Sequence, residues 1–323
     1  MKSLCLVMIV KNEAAVIRRC LDSVRPFIDH WVICDTGSTD DTKGIIRQAL
    51  KHIPGTCYED DWMDFGHNRS LSLQRAQGKA DYLLLMNADE VLNVRDDFKA
   101  GLEGDGYFLR YDGDPEYYLP LILSSAHEWK FLGVTHEHLQ ANIKPQFRKI
   151  SGVSVTHLFD GGSRLNKFGR DIMLLTGRLK EEPNNARYVF YLAQSHKDVG
   201  DYGRALPLYQ KRTGMGGWEE ETWYAGYQIG RMQQFLRQPW PVVMDSYLAA
   251  YQYRPTRLEP IYHIAKFYNE TKQCHLAYPF ARLSQEVGYP EDYLFIEKSI
   301  YLYELPLEYG MSCHGTGRHT EAI

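Results

Sequence analysis

The chain contains no apolar run near the roughly 20 residues that cross a bilayer as a helix. No charge of one sign dominates either: 37 Lys and Arg stand against 41 Asp and Glu, for a net charge of −4. A balance that even leaves no electrostatic footprint for nucleic acid, so a nucleic-acid partner is not expected. Cysteine is sparse. Its six positions (5, 20, 34, 57, 274 and 313) include no Cys-x-x-Cys pair, which argues against structural zinc. Cys5 and Cys34 lie inside apolar runs and read as packed thiols. No opening segment has the pattern of a secretory leader. A reducing, cytoplasmic location is therefore expected, either free or at a membrane periphery. At 323 residues the chain has room for two domains and a sizeable core.

What is present is a series of apolar runs that stop abruptly in polar clusters. Tyr82-Leu83-Leu84-Leu85-Met86 ends in Asn87-Ala88-Asp89-Glu90. The run has the length and composition of a strand buried on both faces. Leu4 to Val10 is a second such run, ending in Lys11-Asn12-Glu13, and His30 to Cys34 a third, ending in Asp35-Thr36-Gly37-Ser38-Thr39-Asp40. Between the first two, Val16, Ile17, Cys20, Leu21 and Val24 have the spacing of one helical face. A further helix is expected from Lys43 to about Lys51, with Ser38, Thr39 and Asp40 as capping candidates. This βαβα alternation predicts an α/β sheet with functional groups at the carboxyl ends of its strands. Adjacent acids there, Asp89 and Glu90, repel unless a cation or donors compensate, and a divalent metal holding a diphosphate would do so. An ordinary strand end with a polar turn is the plainer alternative.

In this order, Val10-Lys11-Asn12-Glu13, the Asp35–Asp40 cluster and Asn87-Ala88-Asp89-Glu90 resemble family 2 glycosyltransferases. The resemblance continues through Trp62 to Ser70 and Gly133 to Glu137, spanning about residues 3 to 160, and extends to the bacterial subgroup that includes lipopolysaccharide-core glucosyltransferases and peptide S-glycosyltransferases. It implies a GT-A fold and an inverting, metal-assisted transfer of a hexose from a UDP-sugar. The acceptor would be a hydroxyl or thiol on a glycan, a lipid-linked saccharide or a peptide. Site residues follow from the same resemblance. Asp35 would meet the uracil or ribose, and Ile9, Val10, Lys11 and Glu13 would line the base pocket. Asn87, Ala88 and Asp89 would take the place of the DxD motif, with Asp89 bearing the manganese or magnesium. Arg69, supported by Asn68, would meet the diphosphate. Asn87 departs from the motif's acid, so an acid restored there is expected to strengthen metal binding.

Gly133-Val134-Thr135-His136-Glu137-His138-Leu139 reads as a strand, with His136 and His138 on one face and Glu137 on the other. The resemblance favours Glu137 as the general base and His157, near the end of another alternating run, as a metal ligand or phosphate contact. Asp160 and Asp112 are weaker candidates for the base. A nucleotidyltransferase reading would need a Gly-rich basic loop after the first strand, and Lys11-Asn12-Glu13 is not one. A third reading makes the sheet domain an inactive one, whose helical partner binds protein or glycan.

After about residue 165 the apolar strand runs give way to Tyr-rich helical patterns. Tyr191-Leu192-Ala193-Gln194, Tyr227-Gln228-Ile229-Gly230 and Tyr262-His263-Ile264-Ala265 repeat with their tyrosines 36 and 35 residues apart. This resembles tetratricopeptide repeats, paired helices that stack into a solenoid. The expected organisation is residues 1–165 as the GT-A domain and 166–323 as an all-α repeat domain, offering a surface for acceptor binding or homo-oligomer formation. A fourth repeat starts over Ile300–Tyr309 and its partner helix at His319 is cut short, as in a fragment of a longer protein.

Overall fold

A computed structural model describes residues 2–162 and 167–321. The chain divides into two compact units: residues 1–113 with 118–167, and residues 114–117 with 168–323. The boundary expected between 165 and 166 lies outside the described residues.

The first unit is mixed α/β. Its elements are β1 (Leu4–Val10), α1 (Ile17–Val24), β2 (His30–Asp35), α2 (Thr42–Ala49), β3 (Gly55–Glu59), α3 (Phe65–Ala76), β4 (Tyr82–Leu85), β5 (Glu90–Val94), β6 (Gly106–Asp112), β7 (Tyr117–Ser124), β8 (Trp129–Leu132), β9 (His138–Ala141) and β10 (Phe147–His157). Eight strands form one sheet in the order β3-β2-β1-β4-β7-β6-β10-β5, and β8 and β9 form a separate hairpin. β1 pairs in parallel with β2 on one side and with β4 on the other. The chain therefore winds outward from β1 through β2 and β3, then returns to the other flank of β1. That reversal is a switch point, and it opens a crevice at the carboxyl ends of β1, β2 and β4.

Burial explains why these segments are strands. Leu4, Leu6, Ile33, Leu83 and Leu84 are fully buried, and each such side chain stabilises the fold by roughly 1.5–3 kcal/mol. On α1 the buried positions are Ile17, Cys20, Leu21 and Val24, the face its spacing predicts. All six cysteines are free. The 133–139 segment departs from expectation. Gly133 and His136 have positive φ (117° and 49°), so the chain turns there and β9 begins only at His138. His136 and His138 do not share a strand face. Gly66 lets α3 approach this turn, since a Cβ at 66 would lie 2.4 Å from the Gly133 carbonyl oxygen.

The second unit is all-helical: α4 (Lys167–Glu181), α5 (Ala186–Asp198), α6 (Tyr202–Thr213), α7 (Glu219–Phe235), α8 (Trp240–Tyr253), α9 (Glu259–Glu270), α10 (Cys274–Ala281) and α11 (Leu305–Gly315). The repeat tyrosines Tyr191, Tyr227 and Tyr262 lie on α5, α7 and α9, the first helix of each pair, as the tetratricopeptide-like period implies. Asn185 and Asp201 cap α5 and α6 by accepting the Tyr188 and Arg204 amides. Phe190, Tyr209, Trp223, Tyr227 and Tyr247 are buried between the helices. The last helical stretch begins at Ile300 with a π-helical turn and runs to Gly315. Residues 319–321 form a turn, and the remainder of the expected partner helix lies outside the described residues. Among the described residues, no helix is long and apolar enough to cross a membrane.

Candidate functional site

Asp35 ends β2 and is 1 % exposed. Its Oδ1 accepts the amides of Gly37 (3.0 Å) and Ser38 (2.8 Å), which fixes the turn after the strand. Its Oδ2 is buried and has no hydrogen-bond partner. A buried carboxylate oxygen without a donor costs the fold free energy, and here it stands at the carboxyl end of β2. The neighbouring loops are tied to each other around it. Asn12, in left-handed backbone (φ 56°), accepts the Thr39 amide at 2.8 Å, and Ser38 Oγ accepts the Asn12 amide at 2.9 Å. Asp40 accepts the Ala14 amide at 3.0 Å.

The acids after β4 turn out to have separate tasks. Glu90, 1 % exposed, accepts the Asn87 amide (2.7 Å), Asn87 Nδ2 (2.6 Å) and the Tyr111 hydroxyl (2.8 Å). Three donors compensate it, one of the two ways in which the repulsion between Asp89 and Glu90 was expected to be relieved. With Nδ2 turned to Glu90, Asn87 Oδ1 accepts from Arg69 Nη2 at 2.8 Å. Arg69 Nε in turn lies 2.6 Å from Glu137 Oε1. Cys20 closes the arrangement. Burial pushes its thiol well up, so it stays protonated and donates to the Asn87 carbonyl at 3.2 Å. Position 87 is thus shaped for an amide. Asn87→Asp would set a carboxylate against Glu90, outweighing any gain at the partly exposed Arg69. The expected result is a loss of about 1–3 kcal/mol of stability. Thermal unfolding of the variant and parent is the check.

Asp89 faces another way. Its Oδ2 lies 3.0 Å from His157 Nε2, at the end of β10, and accepts the Gly161 amide at 3.3 Å. Glu13 Oε2 accepts the next amide, Gly162, at 3.0 Å. A Cβ on Gly161 would be tight, 3.1 Å from Asp89 Oδ2 and 3.2 Å from Glu13 Oε2, and one on Gly162 would lie only 2.3 Å from the Asn12 carbonyl oxygen. Phe159 stacks on the His157 ring at 4.1 Å. Among the described residues there is no cluster of three or more His, Cys, Asp or Glu able to cage a metal. A carboxylate beside an imidazole does fit the other mode, in which substrate phosphates supply most of a magnesium or manganese ion's oxygens.

The remaining expected residues sort by surroundings. Val10 is buried, and its carbonyl accepts the Thr36 amide at 2.9 Å; Ile9 is half-buried and Lys11 exposed. Ala88 is buried between Asn87 and Asp89. Asn68 is not in the crevice network: its amide accepts from the Met63 amide and donates to the Asp61 carbonyl, both at 3.0 Å, and so shapes the loop before α3. Asp160, a weaker candidate for the base, is also paired with an arginine. Arg19 grips it at 2.7 and 3.1 Å and holds its carboxyl below the usual range. Asp112 accepts from Arg110 (2.9 Å) and Ser154 Oγ (2.5 Å). Sequence reasoning missed the orienting roles of Glu90 and Tyr111 and the Gly161-Gly162 amides. The paired glycines were the one visible signal.

Residues 5–99 match the model of glycosyl transferase family 2. A TPR repeat-containing protein of Synechococcus elongatus is 37 % identical over 92 residues, 28 % of this chain and 22 % of that protein. The SPbeta prophage-derived glycosyltransferase SunS of Bacillus subtilis is 26 % identical over 219 residues, 63 % of this chain and 49 % of the relative. The chain therefore spans less than half the length of these relatives. Among solved structures, MamA covers 49 % of this chain and 83 % of its own at 18 % identity and a TM-score of 0.36.

Proposed function

Since the first unit carries a family 2 glycosyl transferase domain, we propose that it binds a UDP-sugar at the switch point and transfers the hexose, with inversion, to an acceptor hydroxyl or thiol. The observation that carries this reading is the buried, partnerless Asp35 Oδ2 at the carboxyl end of β2. Uracil N3–H or a ribose hydroxyl supplies the donor it needs. Ile9, Val10, Lys11 and Glu13 border the same edge of the sheet at the end of β1.

Inverting transfer calls for a base in reach of the nucleophile and for positive charge on the leaving diphosphate. Glu137 serves as the base, and Arg69, which holds Glu137 on one side and Asn87 on the other, orients both and faces the departing phosphates. A manganese or magnesium ion held by Asp89 and His157 with the donor's phosphate oxygens supplies further leaving-group stabilisation when bound. Asn87 does not favour the inactive-domain alternative, because Glu90 accounts for the amide. The helical unit is assigned to the acceptor or to self-association rather than to the nucleotide.

A thermal-shift panel of UDP-, GDP-, CMP- and dTDP-sugars with manganese tests the donor class. UDP-sugars are expected to stabilise the chain by about 2.7 kcal/mol at a hundredfold excess over Kd. No response to any nucleotide-sugar would remove the assignment. The metal is tested separately: Asp89→Ala is expected to abolish turnover and excess chelator to mimic it, whereas full activity in chelator would contradict the role given to Asp89 and His157.

A further inference from the structure

The second unit contains a cleft of about 480 Å³ lined by Asp114, Pro115, Lys197, Tyr202, Tyr224, Gln228, Arg231, Phe235, Glu297 and Ser299. Four of these, Tyr224, Gln228, Arg231 and Phe235, recur at the spacing of one face of α7. The two acids are already engaged. Asp114 accepts the amides of Lys298 (2.8 Å) and Ser299 (3.0 Å), and Glu297 accepts the Tyr227 hydroxyl at 2.7 Å and lies 3.6 Å from Arg231. The donors are not. Tyr224 and Gln228 are 6 % and 4 % exposed, yet neither side chain makes a hydrogen bond among the described residues. The nearest carboxylate to the Lys197 ammonium is Asp198, at 3.4 Å. Arg231 engages Tyr227 through Nη1 alone. One wall is a layered stack: the Arg231 guanidinium lies 5.4 Å from the Phe235 ring centre, and Phe235 lies 4.6 Å from Tyr202 at an interplanar angle of 15°.

The polar atoms of Tyr224 and Gln228 are open to the cleft. A hydroxyl, an amide and two cations converging on one cleft call for a ligand rich in acceptors and carrying a negative charge. We propose that this cleft is a saccharide-binding site selective for a sugar that bears a carboxylate, a hexuronate or its equivalent. The carboxylate pairs with Lys197 and Arg231, ring hydroxyls bond Tyr224 and Gln228, and the apolar ring face packs on the Phe235–Tyr202 wall. The volume is at the low end of small-ligand clefts, roughly 300–1,000 Å³, which suits one or two sugar rings better than an extended peptide. The site is independent of the donor crevice, so its failure would leave the donor reading standing.

The test uses the intact chain and measures Kd by ligand-observed NMR. The probes are methyl glycosides of glucuronate, galacturonate and mannuronate, each beside its neutral hexose counterpart, and a blocked acidic tetrapeptide. At least one uronate is expected to bind at least about tenfold tighter than its neutral counterpart, consistent with a charge-assisted bond. Lys197→Met should erase that preference and Lys197→Arg retain it, while Phe235→Ala should weaken charged and neutral sugars alike. Asp35→Asn should leave uronate binding unchanged. Equal melting temperatures for the Met and Arg variants separate lost binding from lost folding, and the parent's uronate-to-hexose ratio stands without any variant. No uronate binding, equal binding of neutral counterparts, indifference to Lys197→Met in a folded variant, or preferential binding of the acidic peptide would overturn the proposal.

Discussion

Glu137→Gln is expected to lower turnover by about 10²-fold or more while leaving UDP affinity nearly unchanged, the size expected for loss of a general base. The substitution keeps the shape of the side chain and its proximity to Arg69, which lies 2.6 Å away. It removes the ability to take the acceptor's proton, together with the negative charge that faces Arg69. A merely structural Glu137 would give a different signature. Its loss would free Arg69 and disturb Asn87, moving donor affinity along with turnover. Steady-state kinetics with a parallel UDP titration separates the two outcomes. Turnover near that of the parent would reassign the base to Asp160 or to a group on the acceptor.

Arg257→Ala should be the most damaging single change to the fold. Arg257 is fully buried, with Nη2 2.6 Å from Glu259 Oε1 and Nη1 3.0 Å from Asp292 Oδ2, while its guanidinium lies over the Trp223 ring at 3.9 Å. It also donates to the carbonyls of Leu294 and Phe295, tying the segment before Ile300 to the helix pairs. Truncation would leave Glu259 as a fully buried anion, with only the Tyr301 hydroxyl at 2.7 Å as a side-chain donor. Breaking a buried pair in this way costs about 3–5 kcal/mol, more than the pair itself contributes against an apolar replacement. Arg257→Lys should fall between parent and Ala, since it keeps the charge but not the fork. Denaturant unfolding of the helical unit is the measurement, and a loss below about 1 kcal/mol would contradict the accounting.

The elements legible in the sequence were those whose signal is local. β1, β2, β4 and α1 each carry their period within one short window, and the clusters at Asp35 and Asn87–Glu90 follow directly from where the apolar runs stop. Misreadings arose where the decisive interaction was distant or the backbone left-handed. His136 and His138 alternate as strand residues do, but the positive φ at Gly133 and His136 turns the chain instead. Asp89 and Glu90 look like a pair because they are adjacent. Their separation depends on Tyr111 and His157, which belong to strands far away in sequence. Asn87 looks like a defective acid until Glu90 is seen to require a donor. On α7, Tyr224, Gln228, Arg231 and Phe235 read as ordinary helix packing, because the loop at 114–115 that helps line their cleft comes from a separate part of the sequence.

The central claim is that a nucleotide completes the hydrogen bonding of Asp35, and calorimetric titration of UDP into the parent and Asp35→Asn addresses it directly. Asn keeps the Oδ1 acceptor for Gly37 and Ser38 but replaces the orphaned, charged Oδ2 with an amide that cannot accept. The account predicts a folded variant, as stable as the parent or more so, whose UDP affinity falls roughly 10- to 100-fold, the size of a hydrogen bond to a charged group. UDP binding as tight in the folded variant as in the parent would contradict it.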